Sequence, residues 1–224
     1  MTDWHLNLFY SYSHALVEDN LTRAFIMALH LVSGHVRDGL LKSLLQNECS
    51  RLDCGDVLDT VDFTEAQFAL QGYMEKGISQ HVPLSYLMTI ASHKYIPSGD
   101  DNIPSYTTSI PDAWIYHPDN GYCFLIEAKI GTNPLNDIQL YSHAQEWLCL
   151  VGEENIHRHI LSLTWFDVLQ AIHDIRVESA QHPFSLNQQE ASILSDLQEY
   201  LGFFGYRLFH GFHFGDLQPP PAMQ

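Results

Sequence analysis

Basic residues are what this chain has least of. Ten Lys and Arg stand against 27 Asp and Glu in 224 residues, a formal net charge of −17. Nucleic-acid-binding surfaces are normally basic, so this balance excludes a broad phosphate-binding surface built by one copy of the chain alone. Cysteine is also sparse. Cys49, Cys54, Cys123 and Cys149 lack paired zinc-type spacing, and reduced thiols are expected rather than a zinc module. No apolar run reaches membrane-spanning length and no signal-peptide pattern opens the sequence, which predicts a cytoplasmic protein with no membrane partner. The fourteen histidines are scattered, and none forms a His-x-x-x-His pair beside acids, the pattern of zinc hydrolases. Internal repeats and low-complexity tracts are absent. With 46% hydrophobic and 12% aromatic residues the chain can bury a sizeable core. One domain over 1–217 is therefore expected, with a helical elaboration at about 36–80 and a disordered tail over 218–224.

What is present is concentrated in one stretch. Ser109-Ile110-Pro111-Asp112-Ala113-Trp114-Ile115-Tyr116 ends one polar-to-apolar transition, and Cys123-Phe124-Leu125-Ile126-Glu127-Ala128-Lys129 ends the next apolar run in two charges. Strand side chains alternate faces, so Glu127 and Lys129 point the same way while Ala128 points into the other layer. Between the runs, His117-Pro118-Asp119-Asn120-Gly121 is hairpin chemistry, because Asn-Gly supplies the positive φ of a tight reversal. Folding this hairpin returns Asp112 toward Glu127. Glu-x-Lys alone is common on solvated strands as a charge pattern. A continuous apolar run before it marks a strand covered on both faces, where terminal charges need a reason.

Pro111-Asp112 followed by Glu127-Ala128-Lys129 resembles the signature of the PD-(D/E)xK nuclease superfamily. The resemblance implies an α/β fold with a restriction-endonuclease-like core, a small central mixed sheet flanked by helices. It implies that Asp112 and Glu127 hold a divalent metal, Mg2+ or Mn2+, and that Lys129 positions or activates the attacking water. The segment Ser13 to Phe25 is similar to the first helix of many members, which makes Glu18 an auxiliary acid for the metal. The competing reading of Glu18 is a helix N-terminal acid favoured by the dipole. RecB-like members often carry a glutamine and an aromatic on the helix after the lysine strand. Gln139 matches the first, as a contact for substrate phosphate or the water, and His143 stands where a tyrosine is expected. His143 is read slightly in favour of a surface residue over a catalytic one.

Periodicity predicts helices at about 13–32 and 36–48, a polar connection, a short helix over Thr64–Met74 and a strand over Leu84–Ala91. Pro97–Tyr106 is expected to be a mobile loop beside the site. The two motif strands follow, then a helix capped by Asn133 or Asn136 with an apolar stripe of Leu140, Ala144, Trp147, Leu148 and Val151. Ile160–Trp165 should be a strand, followed by helices at about 167–178 and 186–203. His157 and His159 read as surface residues at its entry. The aromatic run Gly205–Phe214 reads as a terminal strand packing rings into the core, with a base-stacking platform including Arg207 as the alternative.

Together these features predict metal-dependent phosphodiester hydrolysis, with DNA as the expected substrate and a restriction or phage-defence role by analogy of fold. The scarcity of cations predicts help from a homo-oligomer or a basic partner protein. The alternative function is a non-catalytic acidic adaptor or regulatory subunit on a nuclease-like core.

Overall fold

The computed structural model describes residues 17–71, 82–97, 110–117, 119, 121–181 and 186–208. Among the described residues the elements run in order α1 (Val17–Leu31), α2 (Gly34–Arg51), α3 (Gly55–Thr60), β1 (Gln67–Leu70), β2 (Leu84–Ala91), β3 (Ala113–His117), β4 (Tyr122–Ala128), α4 (Asp137–Trp147), α5 (Glu153–His157), β5 (Ile160–Thr164), α6 (Trp165–Gln181) and α7 (Gln188–Phe203). The strands form one mixed sheet in the order β1-β3-β4-β2-β5. β1, β3 and β4 pair antiparallel, while β4, β2 and β5 run parallel.

Side-chain alternation assigns the two faces. Tyr122, Phe124, Ile126 and Ala128 of β4 join Met88, Ile90, Ile115 and Leu161 in a large core with α1, α2, α6 and α7. Cys123, Leu125, Leu87, Trp114 and Ile160 point to the other face, where Leu140, Tyr141, Ala144 and Trp147 of α4 cover them. The sheet is therefore sandwiched, which explains the unbroken apolar run of β4: every residue from Tyr122 to Ala128 is buried. Among the described residues no helix is long and apolar enough to cross a membrane.

The hairpin between β3 and β4 sets His117 opposite Tyr122 and Ala113 opposite Ile126, with Gly121 at φ +83° before β4. Asn136 is the N-cap of α4, its side chain accepting from the Ile138 amide. α7 opens on a capping box, Asn187 and Glu190 each accepting the other's backbone amide.

Several expectations need correction. Thr64–Met74 is not a helix where it is described. Gln67–Leu70 is the edge strand β1, and Phe68 and Leu70 pack on one face while Ala69 packs on the other. A four-residue apolar run cannot be told from a helical turn by periodicity, and pairing with β3 decides it. The polar connection before it contains the short helix α3. Val151 leaves the α4 stripe, since the helix ends at Trp147 and Val151 is 81% exposed. Gly205–Leu208 is not a strand. Tyr206 is nonetheless buried against Trp165 and Phe166, and its hydroxyl meets Ser92 and the Gly131 amide. The expected loop over Pro97–Tyr106 beyond Pro97, the rest of the C-terminal aromatic run and the tail lie outside the described residues.

Candidate active site

Glu127 is the centre of the site, and the sheet dictates where it points. It shares the parity of Cys123 and Leu125, so its carboxylate enters the α4 face rather than the larger core, and the residue is 1% exposed. A buried carboxylate needs compensation. Lys129 Nζ donates to Oε1 at 2.6 Å, and His143 Nε2 lies 3.1 Å from Oε2. An ionised carboxylate only accepts, so the His143 tautomer that fits carries its proton on Nε2. Among the described residues both of Glu127's hydrogen-bond partners are side chains.

Lys129 is aimed by its own backbone. Its amide donates to Ile90 O, extending the β2–β4 ladder by one residue, and its carbonyl accepts from Trp165 Nε1. With the main chain held on both sides, the side chain lies back along β4 toward Glu127 and is 14% exposed.

Asp112 sits one residue before β3. Its amide donates to Ile126 O and its Oδ2 accepts from the Ala128 amide at 2.8 Å. It has the parity of Trp114, so it belongs to the same α4 face as Glu127 and Lys129. The hairpin thus brings Asp112 beside the end of β4, as the turn chemistry predicted.

His143 corrects the sequence-based expectation of a surface residue. It is fully buried and bonded to Glu127, because α4 lies flat on this face and position 143 falls one residue from Ala144 in the covered stripe. Gln139, one helical turn earlier, is half-buried on the same side of the helix. Glu18 lies in the first turn of α1, and its side chain is outside the described residues.

Neighbouring strands extend the polar row. Thr89 of β2 is level with Glu127, and Ser162 of β5 is level with Thr89, all on the α4 face at the carboxyl ends of the parallel strands. Crevices at such ends are the usual ligand sites of α/β sheets. Among the described residues, no three His, Cys, Asp or Glu side chains converge closely enough to hold a metal ion.

A second buried glutamate was missed altogether. Glu48 of α2 is 4% exposed and accepts from Lys94 Nζ at 2.7 Å, from Arg51 Nε and Nη2, and from the Ser162 amide at 3.0 Å. Arg51 Nη2 also donates to Ile160 O. Ser162 N and Ile160 O belong to the outer edge of β5, so Glu48 and Arg51 satisfy that edge as a neighbouring strand would. Burial alone would raise the Glu48 pKa; the hydrogen bonds from Lys94, Arg51 and Ser162 outweigh it and hold the carboxyl below its ordinary value. The available signal was spacing: Leu41, Leu44 and Leu45 place position 48 on the buried stripe of α2.

Other cations are committed elsewhere. Arg37 donates to the carbonyls of Leu29, His30, Val32 and Thr64, closing the C-terminal end of α1. Arg207 Nε donates to Gly202 O near the end of α7. Cys49, Cys54 and Cys123 are buried and Cys149 is exposed, and none of the four is in a disulfide. No protein-family model matches the chain, and no curated protein or solved structure shows significant similarity to it.

Proposed function

We propose that this protein is a metal-dependent phosphodiesterase of the PD-(D/E)xK type with a restriction-endonuclease-like core, acting on DNA as a restriction or phage-defence endonuclease. One observation carries the reading: Asp112, Glu127 and Lys129 share one face at the end of β4, with Glu127 buried against the Lys129 ammonium and the His143 imidazole. Charges placed in a covered layer cost folding energy, and ionisable groups kept together in a cleft at that cost are candidates for a functional site.

The donor set suits a hard cation. Asp112 and Glu127 offer carboxylate oxygens, each oxygen accepts more than one contact, and Glu18 is the further acid the motif suggests. A bound Mg2+ or Mn2+ would supply charge for the phosphoryl oxygens and a more acidic water. The remaining roles belong to the chain. Lys129 stabilises negative charge that develops on the phosphate. His143 is a positioning residue, fixing the plane of the Glu127 carboxylate through Oε2. Gln139 contacts substrate phosphate or the attacking water from the same helix.

The second reading, a non-catalytic acidic adaptor, draws support from the engagement of both Glu127 oxygens by Lys129 and His143. An internally neutralised cluster needs no metal. Incubating the purified protein with plasmid, linear duplex and single-stranded DNA and with RNA, in Mg2+ or Mn2+, separates the two. The nuclease reading expects cleavage that Lys129→Ala abolishes, and Ca2+ that binds without turnover. An intact set of substrates under every metal would favour the adaptor.

A further inference from the structure

Beside the polar row lies a cavity of about 340 Å3, lined among others by Glu48, Arg51, Lys94, Tyr95, His157 and Ser162. A second, of about 300 Å3, is lined by His93, Lys94, Tyr95, Thr132 and Asn133 with neighbouring loop residues. Lys94 and Tyr95 line both, so the two adjoin across the carboxyl ends of β2, β4 and β5. Tyr95 is fixed between them. Its amide donates to Ser162 Oγ at 2.6 Å and its hydroxyl to Asp137 Oδ1 at 2.7 Å.

Two cations here are held at a site rather than waving in solvent. Arg51 and Lys94 are 51% and 47% exposed, yet both are anchored to the buried Glu48 carboxylate. One negative charge thus gathers two positive ones. Asp167 comes within 3.8 Å of Lys94, but its Oδ2 also accepts from the amide and hydroxyl of Thr164. Elsewhere Arg37 is consumed by backbone carbonyls, and Lys42, Arg158 and Arg176 pair with Asp38, Glu154 and Gln198. In so acidic a chain, cations gathered against a cavity mark the place where an anion fits.

We infer that the Arg51–Lys94 cavity is a phosphate subsite, which seats a backbone phosphate of the nucleic-acid strand whose scissile bond lies at Glu127. This rests on the phosphodiesterase reading for the substrate, but not for the anion. Ser162, Thr89 and Glu127 are level on adjacent strands, so the cavity stands about 10 Å from Glu127 at ~4.8 Å per strand. A strand crossing the carboxyl ends of the sheet would meet Lys94 and Arg51 together at the β5 edge, where both are held by Glu48.

The test titrates the full chain with inorganic phosphate, and separately with a 5′-phosphorylated trinucleotide, following the backbone amides of Ser162 and Tyr95 by NMR. Both amides bond groups that line the cavity. Both ligands should shift these resonances, chloride at equal ionic strength should not, and Lys94→Gln should weaken binding about tenfold while Lys94→Arg restores it. The log affinity against log salt slope for a duplex oligonucleotide should fall by about one in Lys94→Gln. Shifts that chloride reproduces, or that Lys94→Gln leaves unchanged, would overturn the subsite. Cleavage is scored independently on the parent. Cutting without phosphate shifts at Ser162 and Tyr95 refutes the subsite and leaves the reaction standing. Phosphate shifts without cutting under any metal uphold the anion site and retire the phosphodiesterase.

Discussion

Glu48 and Glu127 are both buried carboxylates flanked by a lysine and a second basic side chain, yet their surroundings ask different things of them. Glu48 faces Lys94, Arg51 and a backbone amide of an edge strand, donors that cannot become acceptors. Glu127 faces Lys129 and His143, and an imidazole can present either a donor or an acceptor. The first glutamate closes the sheet. Among the described residues the second bonds only the side chains of Lys129 and His143, so no backbone group there depends on its carboxylate. Burial and ion pairing do not by themselves mark a functional acid; what matters is whether the backbone depends on it. Glu190 falls on the structural side, accepting from the amides of Ser33 and Asn187.

The largest expected effect falls on the Glu127 side. Asp112→Ala, Glu127→Ala and Lys129→Ala should each lower cleavage by at least about a thousandfold while the protein stays folded, measured by single-turnover rates alongside circular dichroism. Activity surviving in all three would mean that Asp112, Glu127 and Lys129 have no part in the chemistry.

Next in size is Glu48→Ala. It strips the β5 edge of its acceptor and leaves two cations facing each other, at a cost of about 3 kcal/mol in urea unfolding, since the buried amide of Ser162 loses its partner. Rates per folded molecule should change far less than for Glu127→Ala. A Glu48→Ala protein as stable as the parent would mean that the edge is not held as described.

How much of this was readable from residues alone depends on whether the constraint was local. The hairpin, the parity of Glu127 and Lys129, and the Asn136 cap are short-range consequences of Asn-Gly, strand alternation and an N-cap side chain, and they were legible. The edge strand β1 was not, because only its pairing with β3 separates Gln67–Leu70 from a helical turn. His143 was misjudged for a similar reason. Its burial depends on how flat α4 lies against Leu87, Trp114 and Leu125, contacts set by residues far away in sequence. Glu48 was invisible as a site because its partners Lys94 and Ser162 lie 46 and 114 residues away.

His143→Gln separates a positioning role from packing. Gln keeps a donor for Glu127 Oε2 but loses the shape of the imidazole, and metal affinity read by calorimetry should fall about tenfold, within the range for groups that orient a ligand. An unchanged affinity would make His143 a packing residue.

The smallest effect is acid sensitivity. Glu48 and Glu190 both titrate below the ordinary glutamate value of 4.5, against the pull of burial, because charged and backbone donors hold their ionised forms. A depressed folded pKa gives stability that is fully present above about 4.5 and lost as pH falls through the folded value. Unfolding free energy should therefore be flat near neutral pH and decline below about pH 4.5. The Glu48→Ala protein should show a shallower decline.

The most direct test substitutes the same isostere at both positions and reads stability and rate together. In Glu127→Gln the amide oxygen still accepts from Lys129 and the amide nitrogen donates to the other tautomer of His143. In Glu48→Gln the amide nitrogen must face Lys94 or else Arg51 and Ser162, a donor against a donor in either orientation. Glu48→Gln should melt about 5–10 °C below the parent and still cut when folded, whereas Glu127→Gln should melt within a few degrees of the parent and not cut. Equal losses of melting temperature, or cleavage by Glu127→Gln at the parent's rate, would contradict this division of roles.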